Sequence, residues 1–214
     1  MIHTLEVRWF GTPPLPPALH EWFQTLGEVQ TTSQTHLYLP AEDPALNVKV
    51  RDGQLQIKRQ LGGPFRKAFG TQADGHCEQW GKWSFDLAAE RSVLWDDDPS
   101  NLWVAVQKTR HQLKIPAADQ PSLTDALPTT PPALVAAELT TLQVQDTSAW
   151  TFCVEAEGPV ESLVETLLTA APQLLNDTLP FSLSPDESYG YVRWLQQLPT
   201  VHTRPASEIQ IPSL

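Results

Sequence analysis

Four short segments of the chain alternate charged residues with uncharged ones. They are Glu6-Val7-Arg8, Val48-Lys49-Val50-Arg51, Lys108-Thr109-Arg110 and Glu155-Ala156-Glu157. Because successive side chains of a β-strand point to opposite faces, each segment places two charges on one side of a strand. A barrel with an apolar interior needs the inverse pattern. The segments therefore predict a sheet whose charged faces converge on something polar, and the alternative is that these faces are solvated and form ordinary ion pairs.

The overall charge narrows the classes of ligand. The chain has 214 residues with a formal net charge of −11, and its 41% hydrophobic content and eight tryptophans allow a packed core. Binding along a nucleic acid takes a basic surface, and an anionic membrane surface attracts basic segments. We therefore expect no nucleic acid and no membrane among the partners, although a basic pocket in an acidic protein can still bind a small anion.

The N-terminus and the two cysteines indicate the compartment. Residues 1–6 lack the basic and apolar regions of a signal peptide, and no apolar run approaches the roughly 18–20 residues of a membrane span. Cys77 and Cys153 have no metal-ligand spacing, so we interpret them as buried or inert thiols. The sequence predicts a cytoplasmic protein.

Hydrophobic periodicity predicts seven or eight strands and three helices. The predicted strands cover residues 4–10, 28–39, 46–51, 54–61, 82–87, 101–115, 134–144 and 150–157. Two helices are predicted over 16–26 and 160–175, and a last one begins at Ser184 and carries Tyr191 and Trp194. Asp52-Gly53 is a strong signal for a two-residue hairpin turn.

Other stretches are less regular. Residues 64–80 show no clear period, and a change in the apolar pattern near Val106-Gln107 suggests a β-bulge or a twist. Residues 116–133 are rich in proline and are interpreted as a loop between two halves of a single domain that spans 1–214. The residues after Pro199 are interpreted as a tail or an edge segment.

The amphipathic helices bear on where the charges lie. Such helices need apolar sheet faces to cover, so the charged faces of the strands point to the other side. A closed or highly curved sheet then encloses a polar interior. We therefore predict an α+β, mainly β fold with a few covering helices.

Several motifs follow one another in a characteristic order along the chain. They are the segment Leu37-Tyr38-Leu39-Pro40, the hairpin Val48-Lys49-Val50-Arg51-Asp52-Gly53 with Leu55-Gln56-Ile57-Lys58, and then Lys108-Thr109-Arg110, Ala137-Glu138-Leu139, Glu155-Ala156-Glu157 and Ser188-Tyr189. In this order they resemble the CYTH or triphosphate tunnel metalloenzyme family, and the resemblance spans nearly the whole chain. The hairpin is the most specific part. The resemblance implies an eight-stranded antiparallel β-barrel, or tunnel, lined with charges.

The resemblance also implies roles for the charged residues. The residues that would bind phosphate are Lys49, Arg51, Lys58, Lys108 and Arg110, and Arg8 would add to them. The carboxylates that would hold a divalent metal are Glu6, Glu138, Glu155 and Glu157. Glu155 and Glu157 would also be catalytic, with Mg²⁺ or Mn²⁺ as the cofactor if the protein is an enzyme.

The first strand departs from the pattern of the family, whose N-terminal signature is ExExK. Arg8 stands in place of the second glutamate and Phe10 in place of the lysine. A cation at position 8 would repel a metal and favour phosphate. The sequence therefore favours a tunnel protein that binds a triphosphate or another phosphorylated polyanion with weak or lost catalysis, and a protein partner or homodimer remains possible. The alternative is a metal-dependent triphosphatase acting on inorganic or nucleoside triphosphate.

The remaining polar residues give weaker signals. His36 and His111 are interpreted as structural or exposed, because a lone histidine on a strand is more often one of these than a ligand. Asp96-Asp97-Asp98 lacks the glycine and the distal glutamate of a calcium-binding loop and is interpreted as a solvated turn.

Overall fold

The computed structural model describes residues 1–87, 103–115, 134–199 and 201. In these ranges the chain forms nine strands, β1 (Ile2–Gly11), β2 (Gln30–Leu39), β3 (Leu46–Arg51), β4 (Gln54–Gln60), β5 (Phe65–Phe69), β6 (Ala73–Asp86), β7 (Val104–Ile115), β8 (Leu134–Val144) and β9 (Thr147–Gly158). The α-helices in the same ranges are α1 (Pro17–Thr25), α2 (Val160–Leu174) and α3 (Tyr191–Gln196), and a 3-10 turn covers Pro185–Glu187. In the described part of the chain, no helix is long and apolar enough to cross a membrane.

Eight of the strands close into an antiparallel barrel. The order around the ring is β1-β9-β8-β7-β2-β3-β4-β6, and β6 pairs with β1 to close it. Strand β5 pairs with the first half of β6 and lies outside the ring. The architecture confirms the predicted mainly β fold with an eight-stranded antiparallel barrel and a few helices.

The main apolar core lies outside the barrel rather than within it. Leu5, Val7 and Trp9 of β1 are fully buried in this core, which α2 covers along β1, β8 and β9. Helix α1 adds Trp22 and Phe23, whose rings contact Phe152 of β9. Because β1 alternates, Glu6 and Arg8 point the other way, into the ring. The helices therefore cover the apolar outer faces of the strands, as their amphipathic patterns predict.

A second apolar cluster closes one end of the barrel. The cluster combines inward-facing side chains of the strands with side chains of α3 and of the residues that follow α3. It comprises Phe10, Tyr38, Val106, Leu142, Val144, Ala149, Tyr191, Trp194, Leu195, Leu198 and Val201. The ring of Phe10 stacks on Trp194 at 5.4 Å between centroids, and the ring of Tyr38 stacks on Tyr191 at 5.5 Å. We call this cluster the plug.

Two local predictions were wrong, the β-bulge near Val106 and the extent of the last helix, and one stretch without a clear period forms strands. Residues 64–80, which show no clear period, form β5 and most of β6. The expected bulge near Val106 is not formed, because β7 keeps one continuous register with β2 and with β8. The apolar pattern changes there since Val106 faces the plug, whereas Lys108 faces the polar interior.

The predicted last helix is also shorter than expected. The segment from Ser184 forms the 3-10 turn and then an extended stretch, and α3 begins only after Gly190. The proline-rich segment 116–133, the aspartates at 96–98 and nearly all of the tail lie outside the described residues. That residues 1–214 form one domain stays a prediction.

Replacing the α2 residue Leu167 tests the packing of this helix on the barrel. Leu167 is fully buried, so Leu167→Ala is expected to lower the free energy of unfolding by about 2–5 kcal/mol. The matched control is Val164→Ala on the exposed face, with an expected change within about 0.5 kcal/mol. Urea denaturation followed by circular dichroism measures both, and equal losses would contradict the assignment of the buried face.

Candidate functional site

The barrel interior holds one charged cavity of about 300 Å³. All ten residues predicted from the sequence line it, namely Glu6, Arg8, Lys49, Arg51, Lys58, Lys108, Arg110, Glu138, Glu155 and Glu157. The lining also includes residues that the sequence analysis did not assign to a site, namely His36, Asn47, Gln56, Trp80, Lys82, Gln112 and Tyr191. The structure thus brings the predicted residues together, while their roles stay predictions.

Strand register determines which charges meet. Glu6 of β1 lies opposite Glu155 of β9 on one side and opposite Glu78 of β6 on the other. Lys58 of β4 lies opposite Lys82 of β6. Like charges placed directly opposite each other on a sheet repel, so this interior is stable only if other strands supply compensating charges across the barrel.

Lys58 supplies one such compensation. Its Nζ lies 3.3 Å from Glu6 Oε2 and 3.1 Å from Glu155 Oε1. Burial opposes the charge of Glu155, but Lys58 and Arg8 outweigh that cost and lower the pKa of Glu155 to about 2. Glu155 is therefore ionised at physiological pH and is held by a lysine of the same chain.

The other acidic side chains of the cavity are engaged in the same way. Arg8 lies 3.6 Å from Glu6 and 3.5 Å from Glu138, measured between guanidinium nitrogen and carboxylate oxygen. Arg110 approaches Glu138 to 3.5 Å, and Lys82 approaches Glu157 to 3.3 Å. Each acid predicted to hold a metal thus already faces a cation of the protein.

The carboxylates do not fit the divalent metal that the family resemblance implies. Mg²⁺ needs oxygen ligands at about 2.0–2.1 Å in near-octahedral geometry. An ion among Glu6, Glu138 and Glu155 would have to displace Lys58 and Arg8, which contact these oxygens. Within residues 1–87, 103–115, 134–199 and 201, no three His, Cys, Asp or Glu side chains are grouped to hold a metal.

Three basic residues of the cavity have no acidic partner among the residues that the structure describes. They are Lys49, Arg51 and Lys108, and we call them the excess cations. Lys108 Nζ donates a hydrogen bond to Tyr38 Oη at 2.7 Å and lies 3.6 Å from the centroid of the Tyr191 ring. Aromatic rings stabilise a cation but leave its charge uncompensated.

The pKa values of neighbouring groups reflect this excess charge. Burial lowers the pKa of Lys49 to about 7, with Lys58 and Arg51 contributing, and lowers the pKa of Lys108 well below its usual value, with Lys49 contributing. Burial together with Lys108 and Lys49 lowers the pKa of His36 to about 2. His36 is therefore neutral, and the cavity disfavours any further positive charge.

Glu78 is a titratable group that the sequence analysis missed. It lies opposite Glu6 on β6, and burial together with the charge of Glu6 raises its pKa to about 7. The sequence does not indicate that Glu78 faces the barrel interior, because no strand is predicted for residues 64–80. Lys82, by contrast, alternates with Trp83 in a predicted strand, so its inward direction follows from the pattern.

A larger cleft of about 570 Å³ lies outside the barrel, between the segment after β1 and strands β2, β7 and β8. Its lining consists mainly of uncharged groups such as Ser33, Thr109 and Gln143. Lys108 is its one charged lining residue and also lines the interior cavity. Since the interior cavity concentrates many more charged groups, it is the stronger candidate site.

Comparisons with known proteins found similar solved structures but no matching family model or curated protein. The PH1012 protein from Pyrococcus horikoshii OT3 is 13% identical over 88% of this chain and 98% of its own, with a TM-score of 0.47. A putative adenylate cyclase from Bacillus halodurans is 13% identical over 86% of this chain and 95% of its own, with a TM-score of 0.39.

The Pct1 RNA triphosphatase from Schizosaccharomyces pombe is a further neighbour, 12% identical over 83% of this chain and 79% of its own, with a TM-score of 0.39. Identities and TM-scores this low do not indicate an activity for this protein.

The lowered pKa of Lys49 predicts how stability depends on pH. The pKa of Lys49 is about 7 in the folded protein, whereas an ordinary lysine has a pKa of 10.5. Between these two pH values the unfolded chain holds a proton on Lys49 that the folded chain does not. The free energy of unfolding therefore decreases as pH falls from 10.5 to 7. Lys49→Met is expected to raise Tm at pH 7 by an amount of the order of 2–4 °C, and the gain is expected to shrink as pH rises and to vanish above the unfolded lysine pKa of 10.5.

Differential scanning fluorimetry at several pH values measures this effect. The matched control is Lys67→Met on β5, an exposed lysine outside the barrel, for which no gain is expected. A lower Tm for Lys49→Met than for the wild-type protein at pH 7 would contradict the prediction, because it would show that Lys49 stabilises the fold.

Proposed function

We propose that the protein binds a small phosphorylated polyanion, such as a triphosphate, in the barrel interior and has weak or no hydrolytic activity. One observation carries the proposal. Every acid that lines the cavity is engaged by a cation, while the excess cations Lys49, Arg51 and Lys108 face the same space without an acid from the described chain. The cavity thus lacks carboxylates for these three bases, and a bound anion would favour the charged forms of Lys49 and Lys108, whose pKa values burial lowers.

An anion would relieve the repulsion among these groups. Two like charges 4 Å apart repel by about 4 kcal/mol at an effective dielectric constant of 20. Phosphate oxygens suit the groups present, because a guanidinium such as that of Arg51 can donate two parallel hydrogen bonds and a lysine ammonium can donate three. Arg8 could donate further hydrogen bonds to an anion, since its Nε and Nη1 make no hydrogen bond within the described residues.

The ion pairs favour binding over hydrolysis. A metal-dependent triphosphatase needs carboxylates that hold the metal and orient the attacking water. Here Glu155 contacts Lys58, and Glu157 contacts Lys82. We infer that these two glutamates, predicted from the resemblance to be catalytic, instead neutralise lysines so that the cavity has a limited positive excess.

The overall charge supports a small ligand rather than a polymer on the surface. The formal net charge of −11 repels nucleic acids and anionic membranes from the outside, whereas a cavity of about 300 Å³ admits a compact anion. A protein partner or a homodimer stays a prediction.

Isothermal titration with tripolyphosphate in the absence of divalent metal tests the proposal. We expect binding with one site per protein, and we expect Arg51→Gln to weaken it roughly tenfold or more, because a hydrogen bond to a charged group contributes about 1.5–3 kcal/mol. Arg66→Gln is the matched control, because Arg66 is exposed on β5 and is paired with Asp74 outside the barrel. Absence of binding to the wild-type protein would refute the proposal.

A phosphate-release assay separates binding from hydrolysis. With tripolyphosphate or ATP, and with Mg²⁺ and then Mn²⁺, the wild-type protein is expected to release no more phosphate than Glu155→Gln, since Glu155 is held by Lys58. Turnover that depends on metal and is lost in Glu155→Gln would establish the alternative, a metal-dependent triphosphatase.

A further inference from the structure

Large apolar side chains are exposed at the end of the barrel where the charged cavity opens. We propose that they bind an apolar group of the ligand, so that the ligand is a phosphate ester of a hydrocarbon, such as a short alkyl or prenyl diphosphate. The inference rests on the proposed function, because it assumes that the charged part of the ligand is a phosphorylated anion. It concerns the chemical group to which that anion is attached.

The opening of the cavity lies beside the ion pair of Glu157 and Lys82. Among the ion-paired side chains that line the cavity, the exposed fraction rises from 7% for Arg8 to 41% for Glu157. Glu157 is the residue before the last one of β9, which ends at Gly158. Solvent therefore reaches the cavity at the end of the barrel where β9 ends.

Two exposed apolar residues occupy the strand positions next to this ion pair. Leu134 of β8 lies directly opposite Glu157, and Ile2 of β1 lies directly opposite Lys82. The exposed fraction is 65% for Leu134 and 43% for Ile2. Strand register thus brings one apolar side chain next to each member of the ion pair.

Alternation along the strands turns both apolar side chains toward the cavity. Leu134 is four residues before Glu138 on β8, and Ile2 is four residues before Glu6 on β1. Both glutamates line the cavity, so Leu134 and Ile2 belong to the same inner face of the barrel. We call these two residues the apolar lip.

Other exposed apolar residues adjoin the lip. The antiparallel pairing places the starts of β1 and β8 at the end of the barrel where β9 ends, and α2 begins there at Val160. Seven large apolar residues of the described chain are exposed, and four of them are at this end, namely Met1, Ile2, Leu134 and Val160. Single exposed apolar residues are ordinary, whereas a group of them beside a cavity indicates a binding surface.

The side chains of the lip carry no charge and no hydrogen-bonding group. A phosphate or a ribose hydroxyl placed against them would lose contacts with water and gain no partner. A hydrocarbon group loses nothing in this position, and each CH₂ group that leaves water strengthens binding roughly fourfold. The lip therefore favours a phosphate ester of a hydrocarbon over an inorganic polyphosphate or a nucleotide.

A diphosphate supplies the charge that the cavity calls for. A terminal phosphate group carries about −1.5 to −2 charges at pH 7, and the inner phosphate of a diphosphate ester adds to this. The excess cations Lys49, Arg51 and Lys108 face the same space. The hydrocarbon group, joined to the inner phosphate, then leaves the cavity at its opening and meets the lip.

A comparison of geranyl diphosphate with methyl diphosphate tests the inference, because the two esters have the same charged group and differ only in the hydrocarbon. Isothermal titration is performed below the concentration at which geranyl diphosphate forms micelles. We expect the wild-type protein to bind geranyl diphosphate roughly tenfold or more tightly than methyl diphosphate. In the double variant Ile2→Ser/Leu134→Ser this preference is expected to fall to about threefold or less.

Phe65→Ser is the matched control. Phe65 is also a large apolar residue, 39% exposed, but it belongs to β5 outside the ring. This variant should keep the full preference for geranyl diphosphate. Circular dichroism checks that each variant is folded, and if the double variant is not, the comparison of the two esters on the wild-type protein decides.

The outcomes separate this inference from the proposed function. If neither ester nor tripolyphosphate binds, the proposed function fails. If tripolyphosphate binds but the two esters bind equally well, or if the folded double variant keeps the full preference, only the role of the lip is overturned. Sedimentation velocity covers a further outcome. A wild-type dimer that dissociates in the double variant would identify the lip as an interface between copies of the chain and would overturn the inference.

Discussion

The paired contacts of Lys58 with Glu6 and Glu155 hold the barrel interior together. Lys58 belongs to β4, whereas the two glutamates belong to β1 and β9, so the contacts reach across the cavity between strands that are not neighbours. Removing a charge from water costs several kcal/mol unless a partner compensates it. Because Lys58 and Arg8 compensate the acids, other cations of the cavity face it without a carboxylate from the described chain, and the positive excess follows from this arrangement.

The inner face of a single strand can carry both apolar and charged residues, because the barrel interior is apolar at one end and charged in the cavity. On β7, Val106 packs into the plug, while Lys108, two residues later on the same face, lines the charged cavity. Where α3 fills the barrel the inner face is apolar, and along the interior cavity it is charged. The outer face of β1 is apolar as well, since α2 covers it.

Much of the fold follows from local pattern, and most of what was missed depends on contacts distant in sequence. The alternation at Glu6 and Arg8 correctly predicts that both charges share one face, and Asp52-Gly53 correctly predicts its hairpin turn. The ion pair between Lys58 and Glu155 joins residues 97 positions apart, so no local period reports it. The same holds for Tyr191, whose helical pattern indicates burial but not that the burial is inside the end of a barrel.

Closure of the ring by the first strand has a consequence for how the chain folds. Strand β1 pairs with both β6 and β9, and the β9 register extends to Gly158. During synthesis the seam between β1 and β9 can form only after that residue has left the ribosome, and α2, which covers the outer face of β1, comes later still. Contacts of such long sequence separation slow folding. The nascent chain therefore leaves the apolar outer face of β1 without α2 until most of the protein has been made.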